Sequence, residues 1–280
     1  MASVYEIVTN TIIEKLEQGV IPWRTPWVNR GGAVNWKNQK PYRGINALLL
    51  EPGEYATFNQ ISEAGGKVKK GEKANIVVFW KWLEDKDPET GEETKIPLLR
   101  YYKVFEINRQ VEGLQSKRKT DIVFENDPIE AAEKIVKGYE DSPKIKFGPG
   151  RAYYSPSLDF ISVPPLNDYK QPEEYYSTLF HEMVHSTGHQ ARLNREGVTK
   201  QKVAFGDETY SKEELVAEIG SAMLCNIAGI EHAVIDNQAS YIHSWLRKLK
   251  EDKKLIIQAA GQGQKAADFI LNQESQEAAE

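Results

Sequence analysis

One segment constrains this chain more than any other. Pro172 to His189 reads PEEYYSTLFHEMVHSTGH and contains His181-Glu182-Met183-Val184-His185. Positions i and i+4 of an α-helix stand one above the other, so a helix here presents two imidazoles on one face. Two neutral imidazoles on a rigid helix grip a zinc ion, and a carboxylate beside the first takes a proton from water at the metal. The chain has only five histidines, which makes the spacing informative. Tyr176, Leu179, Phe180, Met183 and Val184 form an apolar band, and Ser177, Thr178, His181, His185 and Gly188 a small, polar one. Such a helix buries one side and turns the other to a cleft. The competing reading is a core helix whose two histidines are satisfied by hydrogen bonds.

A zinc ion on two histidines needs a third protein ligand and an open position. In the three-histidine form of the motif the third histidine follows a glycine. Gly188 stands where that glycine would, but the ligand position holds Ala191, and His189 is out of step. A later helix, predicted to open at Ser211, supplies better candidates. Glu214 and Glu218 are four apart, so one can bind metal while the other holds a ligand histidine by its far ring nitrogen. The reading adopted is Glu214 as ligand and Glu218 as that support, with the reverse left open. Each has a plainer explanation: Ser211-x-x-Glu214 is also a capping box, and Glu218 also suits a salt bridge. Tyr210, just before this helix, is the candidate electrophile for an oxyanion. With Glu182 as base, the chemistry is hydrolysis of a peptide bond.

Charge divides the chain. Residues 1–120 carry 19 Lys and Arg against 15 Asp and Glu, and the remainder 17 against 26. The first part can therefore meet an anion. There, basic and aromatic residues interleave: Trp23, Arg24, Trp27, Trp36, Tyr42 and Arg43, followed by Asn46, a Gly-rich turn with Lys67, Lys69, Lys70 and Lys73, and Arg109. Flat rings that stack on bases, with cations along phosphates, are the chemistry of unpaired nucleic acid. The alternative is that tryptophans beside prolines pack a core and that the lysines form a solvated turn. No apolar run approaches the ~20 residues of a membrane span, and the N-terminus reads as an amphipathic helix rather than a signal peptide. With Cys225 the sole cysteine, no internal disulfide forms, and the cytoplasm is the expected compartment.

The expected architecture is α+β in two domains, residues 1–120 and 121–271, with 272–280 a disordered tail. In the first, a helix over 3–18 precedes a short helix near Thr57–Ala64 and strands Asn75–Trp82 and Leu98–Phe105, joined by an acidic loop, Glu84–Lys95. Gln115–Asp121 reads as a linker. In the second, Asp127-Pro128 opens a helix, strands follow at Lys144–Phe147, Ala152–Ser155 and Asp159–Val163, and helices carry the rest, with Ile235–Leu271 helical throughout.

The blocks VYEIVTNTIIEKLEQGVIPWRTPW, YRGIN, GGKVKKGEKANIVVFW, AYYSPSLDFI, EYYSTLFHEMVHSTGH and EELVAEIG together resemble the ArdC-type antirestriction proteins of plasmids and mobile elements, in the family's order and over nearly the whole chain. The resemblance implies an N-terminal domain that binds single-stranded DNA, also similar to one found on plasmid primases, and a C-terminal zincin-like metallopeptidase domain. It implies protection of incoming plasmid DNA from restriction, a protein substrate met on that DNA, and Zn2+ or another divalent metal as cofactor. Residue by residue, it implies His181 and His185 as ligands, Glu182 as base and a glutamate of EELVAE as third ligand. That spacing also resembles the glutamate helix of thermolysin and anthrax lethal factor, where the first acid binds metal. One departure is Ser186, where many relatives carry tryptophan, which places a change at the cleft rim. The alternative function is a non-catalytic shield on DNA with a structural or vestigial metal.

Overall fold

The computed structural model describes residues 3–18, 20–23, 32–86, 93–118, 128–148, 150–199, 208–230 and 238–273. The chain separates into two compact units: residues 1–8, 30–120 and 276–280 in one, and 9–29 with 121–275 in the other. The first helix, α1 (Val4–Glu17), thus contributes to both. From Thr9 onward it groups with the C-terminal residues: the Thr9 hydroxyl donates to the Lys253 carbonyl, and Lys250 pairs with Glu17 at 2.9 Å.

The first unit is built on a four-stranded sheet in the order β1 (Ala33–Asn35), β2 (Gly53–Thr57), β5 (Glu93–Glu106), β4 (Asn75–Lys86). β1 and β2 are parallel and the other pairings antiparallel. Two layers of side chains sandwich it. Ala33, Leu50, Tyr55, Val77 and Val104 pack one side, and Ala56, Ile61, Ile107 and Val111 the other. α2 (Ile45–Leu49) lies against β4, and the Asn46 amide donates to Val78 O and accepts from Val78 N. This side chain plugs the open edge of the sheet as another strand would. α3 (Phe58–Glu63) starts at a capping box of Thr57 and Gln60. β3 (Lys67–Val68) and β6 (Val111–Glu112), flanking α4 (Ile107–Gln110), make a small second sheet.

Two expectations change here. The acidic loop is shorter than predicted, because β4 and β5 stay paired out to Lys86 and Glu93. Strand pairing satisfies backbone groups whatever the charge of the side chains. The start of the predicted linker is fastened down: Gln115 O accepts from the Trp36 indole, and the Lys117 N–H donates to the buried Glu54 carboxylate at 2.9 Å.

The second unit holds α5 (Pro128–Gly138), then β7 (Lys144–Phe147), β8 (Tyr153–Ser155) and β9 (Phe160–Val163) in the order β7-β9-β8. β9 is parallel to β7 and antiparallel to β8. A 3-10 turn (Leu166–Asp168) leads into α6 (Pro172–Thr187), and α7 (Glu196–Thr199), α8 (Glu208–Ala228), α9 (Gln238–Glu251) and α10 (Leu255–Ile270) follow. The apolar band of α6 is core: Tyr176, Leu179, Phe180, Met183 and Val184 are at most 2 % exposed. Each such burial contributes about 1.5–3 kcal/mol. α8 begins a turn before Ser211, so Ser211 does not cap it and the capping-box reading of Glu214 falls away. Its buried face is Leu215, Val216, Ile219 and Leu224, whereas Ile227, expected inside, is 48 % exposed. The predicted C-terminal helix is two helices, broken at 252–254, where Asp252 accepts from the Lys254 N–H.

Close helix packing sets the site. A Cβ on Gly263 of α10 would lie 3.0 Å from Gly220 N of α8, and one on Gly220 would lie 3.0 Å from the Val184 methyls of α6. Ser221 of α8 donates to Ser177 O of α6 at 3.0 Å. Small residues thus bring α6 and α8 together along the polar band predicted for α6.

Candidate metal centre

His181 and His185 lie on the face of α6 turned towards α8, and Glu214 of α8 meets them. His181 Nε2 and His185 Nε2 are 3.1 Å apart. The Glu214 carboxylate is 3.6 Å from His181 Nε2 and 3.4 Å from His185 Nε2. These three residues form the one group of potential ligands found among the described residues. Two nitrogens each ~2.0–2.1 Å from a tetrahedral zinc ion stand roughly 3.3 Å apart, so the separations fit the geometry. The donor set, two imidazoles and one carboxylate, leaves a fourth position open, as a hydrolytic site requires.

Charge points the same way. Burial by itself disfavours charged imidazoles, but the carboxylates outweigh it. Glu214, with Glu182 and Glu218, holds His181 above its ordinary pKa, and Glu213 and Glu214 hold His185 well above its own. Burial likewise pushes the Glu214 carboxyl up, yet the two rings hold it far below the usual carboxylate range. Glu182, next to the first histidine, is 8 % exposed.

The support of His185 comes from a residue that the sequence reading passed over. Glu213, not Glu218, stands at His185 Nδ1, with Oε1 3.4 Å away. Such a contact fixes the tautomer that leaves Nε2 free for metal. Arg195 clamps Glu213 in turn: Nη2 is 2.6 Å from Oε1 and Nε 3.0 Å from Oε2, while its other donors reach Thr187 Oγ1 and Val184 O. Both residues are almost fully buried. A Cβ on Gly188 would fall 2.4 Å from a Val198 methyl and 3.1 Å from Arg195 Nη2, so glycine there makes room for the clamp. The signal was available in the doubled glutamate, Glu213-Glu214, since adjacent helix positions flank the metal face. Glu218, one turn on, is 3 % exposed and acts on His181 through its charge.

Other expected residues fall elsewhere. Tyr210 belongs to the first turn of α8 rather than to a loop. Tyr169 is another tyrosine near this face: burial, with a smaller contribution from the charge of Glu182, raises its pKa. Ser186 is fully buried, with its hydroxyl between Met183 O and the Tyr139 hydroxyl, and so lies on the packed side of α6 and not at a cleft rim. His189 has left the helix, and its Nδ1 accepts from the Ala191 N–H.

Among the described residues, several of those assigned to DNA are engaged in packing or in contacts within the fold. Trp23 is 2 % exposed and belongs with residues 9–29 of the second unit. Burial of so large a ring outweighs any use as a stacking platform. The Trp36 indole donates to Gln115 O, and Lys117 Nζ sits 4.0 Å above its ring. Tyr42 packs edge-on against Tyr55, and Asn46 is buried against β4. Arg109 pairs with Glu51 and Glu106, and Lys69 donates to Arg109 O. Lys67, Lys70 and Lys73 remain exposed, and Arg43 is half-buried. Arg24 and Trp27 lie outside the described residues.

Comparison with known proteins gives two family matches along the chain. Residues 2–105 match the N-terminal domain of anti-restriction factor ArdC, and residues 130–262 match a zincin-like metallopeptidase. The crystal structure of the antirestriction protein ArdC from plasmid R388, in its metal-free form, is 36 % identical, covers 98 % of this chain and all of its own, and superposes with a TM-score of 0.76. Its Mn(II)-bound structure gives 35 % identity, 97 % and 98 % coverage, and 0.74. The uncharacterized protein y4eC of Sinorhizobium fredii is 32 % identical over 97 % of this chain and 92 % of its own length. A DNA primase TraC of Escherichia coli is 33 % identical over 95 % of this chain, which spans only 27 % of that primase.

Proposed function

The chain belongs to the ArdC family of antirestriction proteins, and from that premise we propose that it is a DNA-binding metallopeptidase that acts on protein at incoming single-stranded DNA of a mobile element. The observation that carries the catalytic half is the pairing of a three-ligand donor set, His181, His185 and Glu214, with Glu182 beside it. A site that served only to brace the fold needs no carboxylate base next to a ligand. The Mn(II)-bound structure of the R388 protein supports a divalent ion, and the N,N,O donor set favours zinc.

Each residue has a task. A divalent ion supplies Lewis acidity towards water and a substrate carbonyl. Glu182 accepts the proton of the attacking water and returns it to the leaving amine. Glu213 holds the His185 ring with Nε2 aimed at Glu214, and Arg195 keeps Glu213 ionised and in place. β8 lies at the edge of its three-stranded sheet, so an extended peptide can pair with it. DNA binding is assigned to the first unit, on the strength of the family match over residues 2–105.

The test is Glu182→Gln, with metal content measured on the purified variant. The proposal expects metal to be retained, and protection of transferred DNA against restriction to be lost. Full protection by a metal-loaded Glu182→Gln protein would make the chain a non-catalytic shield instead.

A further inference from the structure

The first unit carries an open surface that the sequence reading did not assign to DNA. β2 reaches only Val104–Glu106 of β5, so from Lys103 outward β5 pairs with β4 alone. The result is a two-stranded ribbon, exposed on one of its faces at Lys81, Arg100 and Tyr102. Residues directly opposite in a ladder share a face, as do residues two apart in a strand. The register Val77↔Tyr102, Phe79↔Arg100 and Lys81↔Leu98 therefore puts Phe79, Lys81, Arg100 and Tyr102 on one face.

That face changes character along its length. Val77 and Val104 are core, and Phe79 packs against them half-buried. Tyr102 stands 44 % exposed, with its ring edge-on to Phe79 at 5.8 Å between centroids. Arg100 and Lys81 are exposed on either side, and among the described residues no carboxylate pairs with them. On the opposite face Val78 and Leu99 are buried, and Tyr101 and Lys103 emerge without a ring partner for the tyrosine among the described residues.

We propose that single-stranded nucleic acid lies on the Phe79–Tyr102 face, with Tyr102 stacking on a base and Arg100 and Lys81 contacting phosphates. This rests on the DNA-binding reading above and gives it a location. A tyrosine whose ring is braced by Phe79 loses little freedom on stacking, and a base offers a flat partner whatever its identity. Free cations beside it match the charge of the strand and release its counterions.

The experiment titrates the full chain into fluorescein-labelled oligothymidylate and follows anisotropy at several salt concentrations. Tyr102→Ala with Arg100→Ala is compared with Tyr101→Ala plus Lys103→Ala, which likewise removes one tyrosine and one cation, from the other face. Thermal melting confirms that both variants are folded. The first variant should bind about tenfold to a hundredfold more weakly, with a salt slope smaller by ~0.7. The second should change affinity less than about threefold. Equal losses in the two variants, or unchanged affinity in the first, would overturn this surface while wild-type binding keeps the DNA reading. A wild-type chain that does not bind the oligonucleotide overturns both.

Discussion

Glu213→Gln isolates the part of the metal site that sequence motifs do not announce. The substitution keeps the shape of the side chain and an oxygen for Arg195, but it removes the charge facing His185 Nδ1 at 3.4 Å. It is preferable to alanine, which would strand the buried Arg195 without its 2.6 Å partner at a cost of ~3–5 kcal/mol. Loss of the hydrogen-bond partner of a ligand histidine lowers metal affinity ~10- to 100-fold. The lower end applies here, because the contact is long and the amide oxygen still accepts. Tenfold is ~1.4 kcal/mol, so at saturating zinc the metal-dependent gain in stability should shrink by about that amount. Competition with a chromophoric chelator measures the affinity, and melting with and without zinc measures the linked stability. Equal zinc affinity in wild type and variant, with His185→Ala abolishing binding, would refute the role given to Glu213.

Two further outcomes test the packing. Burial raises the Cys225 thiol to about 12, so the native protein should resist a thiol reagent such as DTNB at pH 8 and react only on unfolding; rapid labelling of the native chain would contradict its place on the buried face of α8. Burial pushes the Glu54 carboxyl up, but hydrogen bonds from Gln39, Ser116 and the Lys117 N–H outweigh it, and the pKa lies below its ordinary value. Its ionised form therefore contributes stability that is present above pH 4.5 and lost as pH falls through the folded pKa. Glu54→Gln should destabilise the first unit at neutral pH by ~1–3 kcal/mol and flatten the acid limb of its stability curve; a constant difference from pH 7 to pH 3 would refute this.

The helix of the metal site was legible because two signals agreed: the i,i+4 histidines and the apolar band. The third ligand was legible only as a pair of candidates, and tertiary packing brings Glu214 within reach of both imidazoles. The support of His185 was not legible, because Arg195 comes from an irregular segment whose packing depends on the close approach that Gly188 allows. Residues for DNA binding are the hardest to read from sequence. Interleaved aromatic and basic residues have the same composition whether they bind a ligand or close a core, and only burial separates Trp23 from Tyr102. The ribbon of β4 and β5 was hidden by its own charge, since Glu84 and Asp85 read as loop while their backbone pairs with Lys95 and Thr94.

The central claim is that His181, His185 and Glu214 hold one divalent ion. Zinc titration of the full chain by calorimetry, repeated on Glu214→Ala and Glu218→Ala, tests it most directly. One zinc per chain in the wild type and in Glu218→Ala, with binding lost or weakened at least a hundredfold in Glu214→Ala, is the predicted result. Stoichiometric tight binding by Glu214→Ala, with loss in Glu218→Ala, would contradict it.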